Sequence, residues 1–203
     1  MLQNIKIRTK LYMLVGFIFI VFITVGMIGL NGMKKTVRLA EDIYNEGLLP
    51  ATKLSVINDY MLESINNLLL ASYHDVRLPD SNLHIDQSLM VHVDEIEKNI
   101  KNTSEMWNEY MKANLRPEIR VIAEKYSEVI RKFTDEGLKN GIDLIKNGKF
   151  SEFNVHNIKV VLPLFSEAKK YNDEIIKLQL ELAKKQNDNV KDTYNVSNII
   201  SLI

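Results

Sequence analysis

Chemistry in this chain has to be built without thiols. There are four histidines and no cysteines among its 203 residues. Disulfide frameworks, thiolate zinc sites and cysteine nucleophiles are therefore excluded. The densest set of potential metal ligands is His84 and His92, eight residues apart, with Asp86 and Asp94 beside them. That spacing is just over two helical turns, too far for one ion unless other helices contribute. A zinc centre wants three or four convergent ligands, so the pattern reads as the wet face of a helix. The inward Glu-x-x-His pairs of a di-iron bundle are absent. So are a Gly-rich phosphate loop, an H-E-x-x-H and a G-x-S-x-G. The Lys-Asn-Gly triplets at 139–141 and 146–148 read as helix-end punctuation. No catalytic constellation, cofactor or metal is expected. The chain reads as a sensor, scaffold or assembly protein rather than an enzyme.

The elements that would position any site are helices. Only four prolines and eight glycines interrupt the chain, and Lys, Leu, Ile, Asn and Glu dominate it. Such a composition offers few of the clustered turn signals of an all-β domain. Lys+Arg is 26 and Asp+Glu is 26, so the net charge is zero. A neutral chain gives no electrostatic reason to expect a nucleic-acid partner.

Leu11–Leu30 reads LYMLVGFIFIVFITVGMIGL, without a charge. At about 1.5 Å per residue such a helix spans about 30 Å, the thickness of a bilayer core. A cleaved signal peptide is the alternative, but its apolar core is shorter and ends at small residues. Here Asn31-Gly32-Met33-Lys34-Lys35 follows, so an uncleaved anchor is expected. Lys6, Arg8 and Lys10 precede the span, and Lys34, Lys35 and Arg38 follow it. The basic flanks tie, and charge alone leaves the orientation open.

Four long amphipathic segments come next. The first runs over 33–75, with Leu54, Ile57, Met61, Ile65, Leu68 and Ser72 on one face. It ends at Arg77-Leu78-Pro79-Asp80-Ser81, a turn with proline and capping residues. The second covers 83–112, with Leu89, Val93, Ile96, Ile100, Thr103, Trp107 and Tyr110 in heptad steps. The third covers 117–146, opened by Pro117, where a missing N–H costs nothing. Ile119, Ile122, Tyr126, Val129 and Phe133 carry its stripe, then Leu138, Ile142 and Ile145, while Gly137 and Gly141 weaken its second half. Asn147-Gly148 reads as a helix stop. The fourth starts near Ser151, as a cap, with Glu152 in the first turn. Its stripe is Ile158, Val161, Phe165, Ala168, Ile175, Leu178 and Leu182. Short turns between four such segments predict an all-α, antiparallel up-down-up-down four-helix bundle, membrane-anchored through the first span. The expected layout is an amino-terminal segment at 1–10, a transmembrane helix at 11–30, the bundle at 31–195, and the opening of a second span at 196–203.

Pro50, within GLLPAT, removes the bond to the Glu46 carbonyl and disfavours ideal helix geometry at Leu49. A kink or short break is expected there, with Leu48 and Leu49 facing the bundle.

Several stretches taken in order resemble the four-helix-bundle sensor domain of bacterial methyl-accepting chemotaxis receptors. NIKIRTKL leads into the span, and the span leads into YNEGLLPATKLSVINDYMLESINNLLLAS. AEKYSEVIRKF lies in the third segment, and NGKFSEF marks the turn into the fourth. The resemblance covers essentially the whole chain. It implies a cytoplasmic amino terminus, a bundle outside the bacterial cytoplasmic membrane, and a homodimer. The partner sensed would be a small molecule or a periplasmic binding protein, met near the membrane-distal end. Helix four would carry a small displacement across the membrane to a histidine kinase. The output parts are not within this sequence, which reads as the sensor portion of a receptor.

Amino-acid receptors of this kind grip a carboxylate with arginines near the end of helix one. The positions that match hold Ile65, Leu70 and His74, so that arginine set is missing. A carboxylate ligand would need other donors. The distal end collects Asn67, Tyr73, His74 and Arg77 from helix one, and Phe153, His156 and Asn157 from helix four. Asn67, Tyr73, His74, Arg77 and His156 are the ligand-binding candidates. Each also has a plainer role: Asn67 facing water, Tyr73 packing, and His74 and Arg77 suiting a helix carboxyl end. The same module feeding a histidine kinase or cyclic-dinucleotide enzyme, and a membrane-tethered helical assembly protein, are the alternative readings.

Overall fold

A computed structural model describes residues 6–78 and 88–201. Pro79, Asp80, Ser81, His84 and Asp86 lie outside the described residues, as do the side chains of 189–190 and 192–203. Among the described residues there is no strand. The chain divides into two units: Met1–Asn45 with Ala183–Ile203, and Glu46–Leu182.

In the first unit, α1 spans Ile7–Asp42 and buries no residue. It is long and apolar enough to cross a membrane. Its side chains answer their own polar needs. Thr24 Oγ1 donates to the Ile20 carbonyl at 2.8 Å. Arg8 Nε donates to Tyr12 Oη at 3.2 Å.

The second unit is an all-α four-helix bundle. The first rod is α2 (Leu49–Ser72) and the second is α3 (Leu89–Lys112). The third is α4 (Pro117–Lys132), a π-helical segment (Phe133–Lys139) and α5 (Asn140–Lys146). The fourth is α6 (Phe150–His156), a π segment (Asn157–Val161) and the part of α7 (Leu162–Ser201) that lies before Ala183. α2 packs along α3, and the two π segments pack on each other. Pro117 opens α4, as its fixed φ favours. Gly148 sits at φ +68°, beyond α5. Its N–H reaches the Ile145 carbonyl at 2.9 Å, and that of Lys149 reaches Leu144 at 2.8 Å. This pair of bonds is a Schellman stop, which glycine adopts without strain.

The core follows the sequence stripes over most of its length. Leu54, Ile57, Met61, Ile65, Leu68, Val93, Ile96, Trp107, Tyr110, Ile119, Tyr126, Val129 and Phe133 are all buried. Four expectations change. Ile158 is 66 % exposed, while Phe153, Asn157 and Val161 turn inward. The cause is the π segment, whose wider turn keeps residues four apart on one face. Leu48 and Leu49 are exposed, and Gly47 and Ala51 face inward instead. Pro50 sits in the first turn of α2, and the chain ahead of it widens into π turns over Ile43–Leu48. Wider turns relax the clash with the preceding carbonyl that an α ladder would impose. Ser151 does not cap: the helix begins one residue earlier, behind Lys149. Gly141 is a close-approach position rather than a weak point. A Cβ on Gly141 would lie 3.3 Å from Leu68 Cδ2 and 3.6 Å from Phe153 Cε2.

Candidate functional site

The end of α2 and the start of α3 bring two of the polar candidates, Asn67 and His74, together with His92. Asn67 Nδ2 donates to the Glu63 carbonyl at 3.0 Å, which turns its Oδ1 outward from the helix. That oxygen meets His92 Nδ1 at 3.1 Å. An amide oxygen only accepts, so Nδ1 of His92 carries the proton. The His92 ring lies 5.7 Å from that of His74, tilted by 54°. His92 is buried and His74 half-buried. His92, a wet-face residue by its sequence pattern, is thus part of the interior. The signal was there in hindsight: His92 precedes the buried Val93 and follows Leu89 by three residues.

Beyond α2, Asp75 is buried although charged. Its Oδ1 accepts the Arg77 backbone N–H at 3.1 Å, an Asx turn two residues long. The Arg77 guanidinium closes on the same carboxylate at 2.7 Å and 2.8 Å. Arg77 also donates to Ser151 Oγ at 3.1 Å, tying this turn to α6. The hydrogen bonds from Arg77 hold the Asp75 carboxyl below its usual range, and Asp75 raises Arg77 in return. Arg77 is thus already engaged by a carboxylate of its own chain. Tyr73 caps α2 and is exposed.

His156 belongs to a different arrangement. Its Nε2 donates to the Gly137 carbonyl at 2.9 Å, joining the end of α6 to the π segment of the third rod. Phe153 is fully buried core, and Asn157 is buried beside it in sequence. The five candidates therefore split: Asn67 and His74 share a cluster with His92, Arg77 closes the turn next to it, and His156 clamps rods three and four. Ile65 is buried and Leu70 half-buried. Among the described residues no group of three or more His, Asp or Glu side chains could hold a metal. The cluster offers amide and imidazole hydrogen-bonding groups and no activated nucleophile.

A second polar set runs through the core. Trp107 Nε1 donates to Ser127 Oγ at 3.0 Å. Tyr126 Oη donates to Asn172 Oδ1 at 3.3 Å, and Gln179 Nε2 donates to Tyr110 Oη at 2.8 Å. Trp107 stacks on Tyr110 at 5.1 Å and meets Tyr126 edge-on at 5.0 Å. Burial pushes both tyrosine hydroxyls well above their ordinary titration range, so they stay protonated.

A four-helix bundle with polar groups gathered at the end of its first rod is one description of this chain; a family model supplies another. The model of the Tar ligand binding domain homologue family matches residues 1–183. The chain belongs to that family. No curated protein and no solved structure matches it. Membership in the Tar ligand-binding-domain family makes the bundle a chemoreceptor-type sensor domain, a ligand-binding module of signal transduction. The four rods are the bundle that such a domain requires.

Proposed function

We propose that this chain is the sensor portion of a transmembrane chemoreceptor. Residues 1–10 are cytoplasmic, 11–30 cross the bacterial cytoplasmic membrane, and 31–195 form the extracytoplasmic bundle. The family match over residues 1–183 carries this reading. A small ligand, or a periplasmic binding protein, acts by unequal affinity for two arrangements of the bundle. Asn67, Tyr73, His74 and Arg77 supply polar contacts for it, with His156 acting through the π segments.

The working unit is a homodimer. Its support is the outer face of α2 and of the π turn that leads into it, where Leu48, Ser55, Leu62 and Leu69 recur every seven residues. The three leucines are 47 %, 44 % and 39 % exposed in the single chain. A heptad stripe with small and leucine side chains is the seam along which two identical helices pair. The chain has no cysteine of its own, so a single Leu62→Cys reports on this directly. In membranes carrying the full chain, mild oxidation is expected to join two Leu62→Cys copies. Val121→Cys, on the exposed face of α4, is expected to stay monomeric. Equal crosslinking at both positions, or none at Leu62→Cys, contradicts the dimer.

A further inference from the structure

We propose that the face of α1 just beyond its apolar stretch binds the headgroup of an anionic phospholipid of the phosphatidylglycerol kind. The lipid belongs to the leaflet at the carboxyl end of that stretch. This rests on the reading of α1 as a membrane span. The helix runs from Ile7 to Asp42, so it leaves the apolar stretch without a break. An open recess of about 380 Å³ lies along it, lined by Leu30, Met33, Lys34, Val37, Arg38 and Glu41. These positions step by three and four, the spacing of a single helix face.

Height along the helix places the two cations. The apolar stretch ends at Leu30. At about 1.5 Å per residue, Lys34 lies about 6 Å beyond it and Arg38 about 12 Å. The headgroup layer of a bilayer is about 5–8 Å deep on each side of the hydrocarbon. Helical side chains lean towards the helix amino terminus, which for α1 is the side of the span. Lys34 therefore stands at the level of the lipid phosphates, and the Arg38 side chain is long enough to reach back to it.

The chemistry of the lining fits the same occupant. Leu30, Met33 and Val37 are exposed and form an apolar strip for the glycerol and upper acyl carbons. Lys34 and Arg38 are exposed beside that strip. A guanidinium forks onto two phosphate oxygens, and an ammonium adds a point charge. Two cations against the single carboxylate of Glu41 leave one net positive charge in the recess. A phosphodiester brings one negative charge. Phosphatidylglycerol satisfies that balance and offers headgroup hydroxyls to Glu41, whereas a zwitterionic lipid leaves the balance unmet. Lys35 does not line the recess. It is turned about 100° from Lys34 around the helix.

The test titrates the purified full chain in detergent, by native mass spectrometry. The probes are phosphatidylglycerol, phosphatidylethanolamine and phosphatidylcholine with the same acyl chains. One phosphatidylglycerol per chain is expected at saturation, bound more tightly than either zwitterionic lipid. Lys34→Gln and Arg38→Gln are each expected to weaken it about fivefold, the size of one cation's attraction to an anionic headgroup. Lys35→Gln is expected to bind as wild type. Far-UV circular dichroism confirms that each variant is folded. Equal loss in all three variants is the mark of diffuse charge attraction and overturns the site. So does equal affinity for the three lipids, or wild-type binding in both Lys34→Gln and Arg38→Gln. An alkaline carbonate wash of membranes carrying the full chain separates the two readings. Release of the chain overturns the span and the lipid site together. Retention with failed lipid titrations overturns the lipid site alone.

Discussion

Tyr110 and Gln179 stand sixty-nine positions apart in sequence and meet in the core of the bundle through a 2.8 Å hydrogen bond. Tyr126 and Asn172 make a second such bond at 3.3 Å. Asn172 and Gln179 are one heptad apart on α7, so both face the same seam. Each bond holds only when α7 sits at one height against α3 and α4. Apolar side chains would pack at several heights; these pairs select one.

Breaking that selection has a measurable cost. Tyr110→Phe keeps the ring and strands the Gln179 amide, which is expected to lower stability by about 1–3 kcal/mol. Gln179→Leu alone is expected to cost a similar amount by stranding the hydroxyl. The double variant is expected to cost less than the sum of the two, with a coupling of about 0.5–1.5 kcal/mol. Denaturant titration of the three variants reads this cycle. Strict additivity would mean that the bond does not hold the register.

Asn99 predicts the opposite sign. It is 1 % exposed on α3, and neither amide atom has a hydrogen-bond partner. A buried polar group in that state costs about 1–3 kcal/mol. Asn99→Leu, of similar size, is expected to raise the thermal midpoint. A lower midpoint would mean that the amide is satisfied in solution.

Gly141 tests the close approach of the rods. Gly141→Leu forces side-chain atoms against Leu68 and Phe153, and overpacking of this kind costs about 1–3 kcal/mol. A Cβ on Gly137 meets its nearest neighbours at 3.7–3.9 Å, which is ordinary contact. Gly137→Ala is therefore expected to be tolerated. Thermal melts of the two variants separate the cases, and equal losses would contradict the geometry.

Asp75 gives the acid response. Its carboxyl is depressed below the ordinary 3.8 by the Arg77 hydrogen bonds. A depressed carboxyl contributes stability in full above its unfolded value and loses it as pH falls through its folded value. Wild type is expected to lose more of its thermal midpoint below about pH 4 than Asp75→Asn does. Parallel curves for the two would show that the pair adds nothing.

The bundle was legible because burial dictates residue type at every third or fourth position. Leu54 to Leu68 and Val93 to Tyr110 carry that pattern without ambiguity. Ile158 misled because a π turn leaves no mark in local composition, and a single extra residue moves the stripe. Leu48 and Leu49 misled because an apolar face can await a second chain as readily as its own core. The polar cluster at the end of the first rod was half legible. Asn67 and His74 stood out by their place there. Their partner His92 was hidden because its pairing with Asp94, Asp86 and His84 in the sequence reads as a polar face, although Val93 beside it is core. Arg77 stood as a ligand-binding candidate or a helix carboxyl-end residue, although Asp75 two positions earlier is the mark of an Asx turn that would claim it.

The central claim is that the bundle stands outside a membrane crossed by α1. Single cysteines decide it, since the chain carries no others. Spheroplasts expressing the full chain with Val121→Cys or Lys6→Cys are treated with a membrane-impermeant maleimide. The account predicts labelling of Val121→Cys in intact spheroplasts and of Lys6→Cys only after lysis. Protection of Val121→Cys until lysis, or labelling of both before it, would contradict the account.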